Sequence, residues 1–316
     1  MRNILFLIFF CVLVSCQPEK NQENQIKEDV IFLASDELEG RQTGTEGEKK
    51  AATYIAARFK ELGLQTKGTK AYLQPFTFKP KTNPHDEVKF DVNGDGKITG
   101  NNVIGFLDNK AENTIIIGAH YDHLGYGGDG SLYRDSIKAI HNGADDNASG
   151  VSVLLNLAAK LKEINTNNNY LLMAFSGEEM GLLGSNYFIK NPTIDLKKIS
   201  YMINMDMVGR MKKDSSLAVY STGTSPIFKQ VLKSHNANFK LVLRASGVGP
   251  SDHTSFYLAD IPVLHFFTGQ HEDYHKLGDD SEKLNYQGMK LISGYIFNII
   301  TDLDNNGKLA FRKTKN

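Results

Sequence analysis

Tryptophan is absent from this 316-residue chain, and cysteine occurs only twice, at Cys11 and Cys16. The missing indole excludes no function. The placement of the cysteines excludes more: beyond residue 16 there is no thiol, so the body of the protein has neither a disulfide framework nor a cysteine metal ligand. An excess of charge of one sign is also lacking. Lys plus Arg and Asp plus Glu each total 36, and such a balance gives no reason to expect nucleic acid as a partner. The apolar run at the N-terminus, Ile4 to Val14, is too short to span a bilayer as a mature helix. What is present is an ordinary globular composition, 41% hydrophobic and 23% charged, sufficient for a sizeable core.

With Arg2 as a positive start, that apolar run reads as an export signal. It ends in Leu13-Val-Ser-Cys16, which resembles the lipobox of bacterial lipoproteins. The resemblance implies cleavage before Cys16, diacylglycerol on its sulfur and acylation of the new amine, a multi-chain anchor that holds stably where one chain would not. An ordinary signal peptide that happens to contain Cys16 is the alternative. The expected organisation is a signal peptide over 1–15, a polar flexible tether over 16–25 and one domain over 26–316. The expected location is the bacterial cell envelope (outer membrane or periplasm), exported and held to the membrane by lipid.

Along the body of the chain, Tyr54, Ile55, Phe59 and Leu62 form a helical stripe ended by Gly63. Residues 71–107 alternate apolar stretches with turn residues and predict strands and hairpins. A theme of strand, loop and helix follows. Thr114–Gly118 runs into His120, Tyr170–Phe175 into Glu178-Glu179, and Ile199–Met205 into Asp206. Helices are predicted over Ala148–Leu161, from Ser185, and from Met289 to Ile300, with one more strand at Ile261–Phe267. This alternation predicts an α/β fold, a three-layer αβα sandwich around a mostly parallel mixed sheet. Sites in such sheets lie beyond the carboxyl ends of the strands, where these polar residues are expected to meet.

Singly, each of these residues has an ordinary explanation as a surface or capping group. As a set, several carboxylates gathered in one pocket would repel each other unless protonated or neutralised by a cation. Imidazoles among carboxylates suit zinc. The series Ala119-His-Tyr-Asp122-His123, Asn142-Gly-Ala-Asp145-Asp146, Ser176-Gly-Glu178-Glu179, Asn204-Met-Asp206-Met and Asp273-Tyr-His275 resembles the dizinc aminopeptidases. These are leucyl-aminopeptidase-like zinc peptidases whose relatives include glutamate carboxypeptidase and glutaminyl cyclase. The resemblance begins at Phe32-Leu-Ala-Ser-Asp-Glu-Leu-Glu-Gly-Arg41 and runs to about Leu284.

By position, the resemblance implies a zinc-peptidase architecture with two Zn2+ about 3.5–4 Å apart sharing a water. Asp145 would bridge both metals, and an unusual cis peptide would join it to Asp146. Glu179 and His275 would complete one metal, His120 and Asp206 the other. Asp122 would accept the free ring N–H of His120. Glu178 would be the general base, and the partners would be peptides with a free N-terminus. Asp252 and His253, in Pro250-Ser-Asp-His253, would either contact substrate or cap a helix starting near Thr254. The loop before them, Ser246-Gly-Val-Gly249, lacks the tyrosine that holds the oxyanion in some relatives, which leaves Tyr274 as the candidate. The glycine-rich stretch 125–136 is expected to line or cover the pocket for the released residue. His85, His123, His141, His235, His265 and His271 are read as structural or surface groups.

Asp91-Val-Asn93-Gly-Asp95-Gly96 matches the start of a calcium loop. Its twelfth position is Asn102 instead of a bidentate Glu, and a hairpin turn is the better reading. Glutaminyl cyclisation and a non-catalytic peptide-binding role are the rival functions. His120 and Asp206 favour two metals over the cyclases' one, and Glu178 favours an active enzyme.

Overall fold

Three consecutive isoleucines show how the chain is layered: Ile115 and Ile117 join the hydrophobic core on one face of the sheet, and Ile116 joins the core on the other. Side chains alternate along a strand, so a continuous apolar run is what a strand covered on both faces requires. This computed structural model describes residues 22–80 and 88–315, less positions 129, 136, 165 and 237. The leader, Cys16, the tether up to residue 21 and His85 lie outside the described residues.

In chain order the elements are α1 (Gln22–Leu33), α2 (Glu46–Glu61), β1 (Gln65–Thr66), β2 (Leu73–Phe78), β3 (Ile98–Leu107), β4 (Asn113–His120), α3 (Gly150–Leu161), β5 (Asn168–Phe175), α4 (Leu183–Lys190), β6 (Ile199–Met205), β7 (Ser216–Tyr220), α5 (Phe228–Ser234), β8 (Lys240–Leu243), α6 (His253–Leu258), β9 (Val263–Phe267) and α7 (Tyr286–Leu303). The strands form one sheet in the order β1-β3-β5-β4-β6-β9-β7-β8, with β2 also paired to β3. Its centre, β5-β4-β6-β9, is parallel, while β3 and β7 run antiparallel to it. One face is covered by α1, α2, α3, α5 and α7, the other by α4 and α6. The expected αβα sandwich with a mixed sheet is the observed fold.

Local chemistry explains several boundaries. The Thr45 hydroxyl accepts the Glu48 N–H to open α2, a capping interaction of the usual kind. Gly63, at φ +76, takes the left-handed position that follows the helix. The Asp91–Gly96 stretch is a turn leading into β3, with Asp91 N–H donated to Thr77 O, and Asn102 lies in the strand.

The tether is shorter at its inner end than expected, because Gln22–Gln25 already form the first turn of α1. Ile26, Val30 and Leu33 explain the early start: at i, i+4 and i+7 they are all fully buried and hold the polar first turn in helical register. Among the described residues no helix is long and apolar enough to cross a membrane.

The carboxylate of Asp29 fastens α1 to α2. It is buried and accepts from Tyr54 Oη at 2.6 Å and Arg58 Nε at 2.9 Å. Burial pushes its pKa up in spite of Arg58. Replacing Arg58 with alanine leaves this buried carboxylate without its cation. The expected loss is about 3–5 kcal/mol of stability, visible as a lower denaturant midpoint. An unchanged midpoint would show that α1 does not depend on the pair.

Candidate metal centre

Four chain segments end at the same sheet edge. β4 delivers His120, the loop after β5 delivers Glu178 and Glu179, the end of β6 delivers Asp206, and the segment after β9 delivers His275. A wide turn over Ala144–Ser149, just before α3, adds Asp146. The carboxylate of Asp146 lies between two imidazoles, with Oδ1 3.2 Å from His120 Nε2 and Oδ2 3.1 Å from His275 Nε2. On its other side His120 Nε2 is 3.4 Å from Asp206 Oδ1, and His275 Nε2 is 3.3 Å from Glu179 Oε2.

The expected bridging residue, Asp145, is not in this position. Its side chain turns away from the cluster, where Oδ1 accepts from Gly209 N–H (2.6 Å) and Ser149 Oγ (3.0 Å), and Oδ2 lies 3.3 Å from His271 Nε2. The cis peptide is likewise one residue later than expected, at Asp146–Asn147. Two adjacent aspartates cannot be told apart by residue type. The turn decides, because it points one side chain at the imidazoles and the other under the sheet edge. Asp279 holds this turn by accepting the N–H groups of both Asp145 and Asp146 at 3.0 Å. Gly143 (φ +56) lets the turn close, since a Cβ there would sit 2.2 Å from Asp146 O.

The other ring nitrogens show what the cluster is built to hold. His120 Nδ1 faces the backbone carbonyl of Asp122 at 3.2 Å, and His275 Nδ1 faces Gly130 O at 2.7 Å. A carbonyl only accepts, so each Nδ1 carries the proton and each Nε2 presents a lone pair. Those lone pairs are aimed at carboxylate oxygens that also carry only lone pairs. Such an arrangement is repulsive unless protons or cations lie between them. Two imidazoles, two terminal carboxylates and one shared carboxylate match the donor set of a two-metal site, and nitrogen with oxygen donors suits zinc.

The titration behaviour agrees with this reading. Burial disfavours protonated His275, yet Asp146 and Glu179 raise its pKa to about 10. Burial also opposes charge on His120, but Glu178 and Asp206 carry its pKa well above the usual value. Burial pushes the Glu178 carboxyl well up, with Asp206, Glu179 and Asp252 adding to the effect. Metal-free, the cluster therefore retains protons that a bound cation would displace.

Asp122 is beside His120 as expected, but its carboxylate is not the nearest acceptor. Its Oδ1 is 3.7 Å from His120 Nδ1, beyond hydrogen-bond reach. Its oxygens are already engaged by Glu178 N–H (3.1 Å) and Thr43 Oγ1 (3.0 Å). It therefore fixes the Glu178 backbone, while its own carbonyl orients His120.

His253 and Tyr274 line a cavity of ≈ 150 Å³ with Glu178, Asp206, Tyr220 and His265. Tyr274 stacks on His275 with ring centroids 3.9 Å apart. His253 stacks on His265 at 4.4 Å. Asp252 is buried just before α6 but makes no side-chain cap, and neither oxygen has a hydrogen-bond partner. Burial raises its pKa to about 7. Among the described residues of the glycine-rich stretch 125–136 none lines this cavity; Gly127, Gly128 and Gly130 wall a different one.

Three residues gain roles that sequence reasoning did not assign. His123 donates from Nδ1 to Glu179 Oε1 at 2.7 Å, and its place in His-Tyr-Asp-His was the available signal. Asp279 holds the Asp145–Asp146 turn. Arg41 is fully buried and donates to the carbonyls of Leu33, Tyr121 (2.7 Å), Asn142 (2.6 Å) and Gly143 (3.0 Å). Burial lowers its pKa to about 10, while Asp122 and Asp146 counter the shift.

A family model described as Peptidase family M28 matches residues 102–300, a span containing every member of the cluster. A probable leucine aminopeptidase of Trichophyton verrucosum is 31% identical over 172 residues, which is 51% of this chain and 44% of that protein. The match thus spans less than half the length of that relative. Among solved structures, an aminopeptidase from Aneurinibacillus shares the fold at TM-score 0.69 and 18% identity, covering 92% of this chain and 95% of that one. Glutaminyl cyclase of Bacteroides thetaiotaomicron does so at TM-score 0.71 and 18% identity, covering 89% and 97%.

Substitutions at the two adjacent aspartates separate their roles. Asp146→Asn is expected to lose zinc on dialysis, with affinity reduced by more than the 10–100-fold typical of residues behind the ligands. Asp145→Asn is expected to retain metal. Elemental analysis of both variants checks this, and the reverse pattern would restore Asp145 as the bridge.

Proposed function

We propose that this chain, which belongs to peptidase family M28, is a zinc-dependent aminopeptidase that removes the first residue from peptides with a free N-terminus. The carrying observation is the shared carboxylate of Asp146 between His120 and His275, each of which also faces its own terminal carboxylate. In this reading His120, Asp206 and Asp146 hold one zinc, and His275, Glu179 and Asp146 hold the other. Bound zinc would supply Lewis-acid polarisation of the scissile carbonyl.

The remaining steps belong to side chains. Glu178 lines the cavity without being needed as a ligand, and Asp122 holds its backbone through the N–H. It takes a proton from the attacking water and returns it to the leaving amine. Burial beside other carboxylates makes it a group that holds a proton readily. Asp206 and Glu178 draw the substrate's ammonium into the same cavity, which restricts cleavage to the first bond. Tyr274 borders the reacting carbonyl and is the side-chain candidate for the oxyanion.

Wild-type protein is expected to contain two zinc ions per chain and to hydrolyse leucine and alanine p-nitroanilides. Glu178→Gln is expected to lower kcat by about 10²–10⁴-fold while retaining zinc. One zinc, no anilide hydrolysis and cyclisation of glutaminyl peptides would instead establish a cyclase. No metal and no turnover would leave a peptide-binding protein.

The leader ending at Cys16 supports export and lipid anchoring to the cell envelope. In the native host the protein is expected to incorporate labelled fatty acid and to partition into detergent. Cys16→Ser is expected to abolish both, and labelling that survives the substitution would refute the anchor.

A further inference from the structure

A second and larger cavity, ≈ 290 Å³, lies on the other side of Glu179, which lines both chambers. Its walls are largely apolar, with Phe78, Val88, Leu124, Met180 and Leu183 contributing. Asp122, His123 and Glu179 line it where it meets the metal centre, and Gln42, Thr43 and Lys79 are its other polar residues. Most atoms of the first three are engaged, because Asp122 accepts from Thr43 and Glu178 N–H, and Glu179 faces His123 and His275. The exception is His123 Nε2, which is buried and has no hydrogen-bond partner. His123 Nδ1 lies 2.7 Å from Glu179 Oε1. The loop whose Gly127, Gly128 and Gly130 wall this chamber also exposes Tyr126 and Leu132, at 45% and 40%.

Nothing in the chemistry proposed above uses this chamber. A substrate whose first residue lies beside Asp206, Tyr220 and His265 must continue past Glu178 and Glu179, and the chamber begins there. Resting on the aminopeptidase reading, we propose that it receives the residue following the scissile bond and selects a large apolar side chain at that position. An apolar side chain gains by burial against Phe78, Met180 and Leu183, whereas glycine leaves the space unfilled.

The test compares kcat/KM of the full-length, zinc-supplied protein on leucyl-phenylalaninamide and leucyl-glycinamide. Phenylalanine is expected to be preferred by about tenfold or more, the scale of a filled against an empty apolar pocket. Val88→Trp places an indole from a half-buried rim position into the chamber, and the preference is expected to fall towards unity. Because the chain has no tryptophan, a blue-shifted emission reports independently that this indole is inside. Met180→Ala opens the chamber from another wall, is expected to weaken the preference several-fold, and decides the matter if Val88→Trp does not fold. A wild-type ratio near one, or a ratio preserved while the indole emits as a buried group, overturns the proposal. Leucinamide ends at the scissile amide and tests the parent reading alone. Its hydrolysis with no second-residue preference rejects only the chamber, and failure on all three amides rejects both.

Discussion

The structure depends most on a single carboxylate held between two imidazoles whose outward nitrogens are committed to carbonyls. Asp122 O and Gly130 O leave His120 and His275 no choice of tautomer, so both lone pairs turn inward onto Asp146. An aspartate fixed in that position without a cation would be strongly unfavourable, and the surroundings keep it there. Asp279 takes the N–H groups of the turn, and the Asn147 side chain ties the same turn to the end of β6 at Met205 O and Met207 N–H. The neighbours of the cluster thus act mainly on its backbone and leave its inward-facing atoms free for ligands.

Much of this was legible in the sequence because the elements are simple. Runs such as Ile115–Ile117 and Tyr170–Phe175 are apolar at every position, as a strand buried on both faces requires. Each run stops at a polar residue, so the sheet edge that gathers the site could be located before any coordinates. The edge strands were less visible. β7 and the edge strand β8 are short, and they alternate burial or are partly exposed. The helix α1 was hidden because its first turn is polar and its apolar residues are spaced through Gln22–Leu33.

At the site, the order of motifs named residues that the structure brings together, except at Asp145-Asp146, where the second aspartate lies between the imidazoles. Residue type and spacing cannot choose between adjacent carboxylates, because the choice is made by backbone dihedrals inside the turn. Asp146 (φ −107, ψ 87) departs from the helical geometry around it, and no sequence signal encodes that departure. His123 was passed over for a related reason. A histidine three residues past a ligand looks like a loop residue, until the chain after β4 bends and brings its ring against Glu179. The second chamber was also out of reach, since its walls come from β2, the loop after β4 and the start of α4.

Arg41 has a consequence for how the molecule is assembled. Its guanidinium gathers carbonyls from the end of α1, from the residue following His120 and from the residues preceding the Asp146 turn. The family match begins only at residue 102, yet this buried cation joins the N-terminal segment to the turn that carries Asp146, a hundred residues away. One buried side chain thus gives the N-terminal segment and the Asp146 turn a common hydrogen-bond partner, so disorder in either leaves buried groups of the other unpaired.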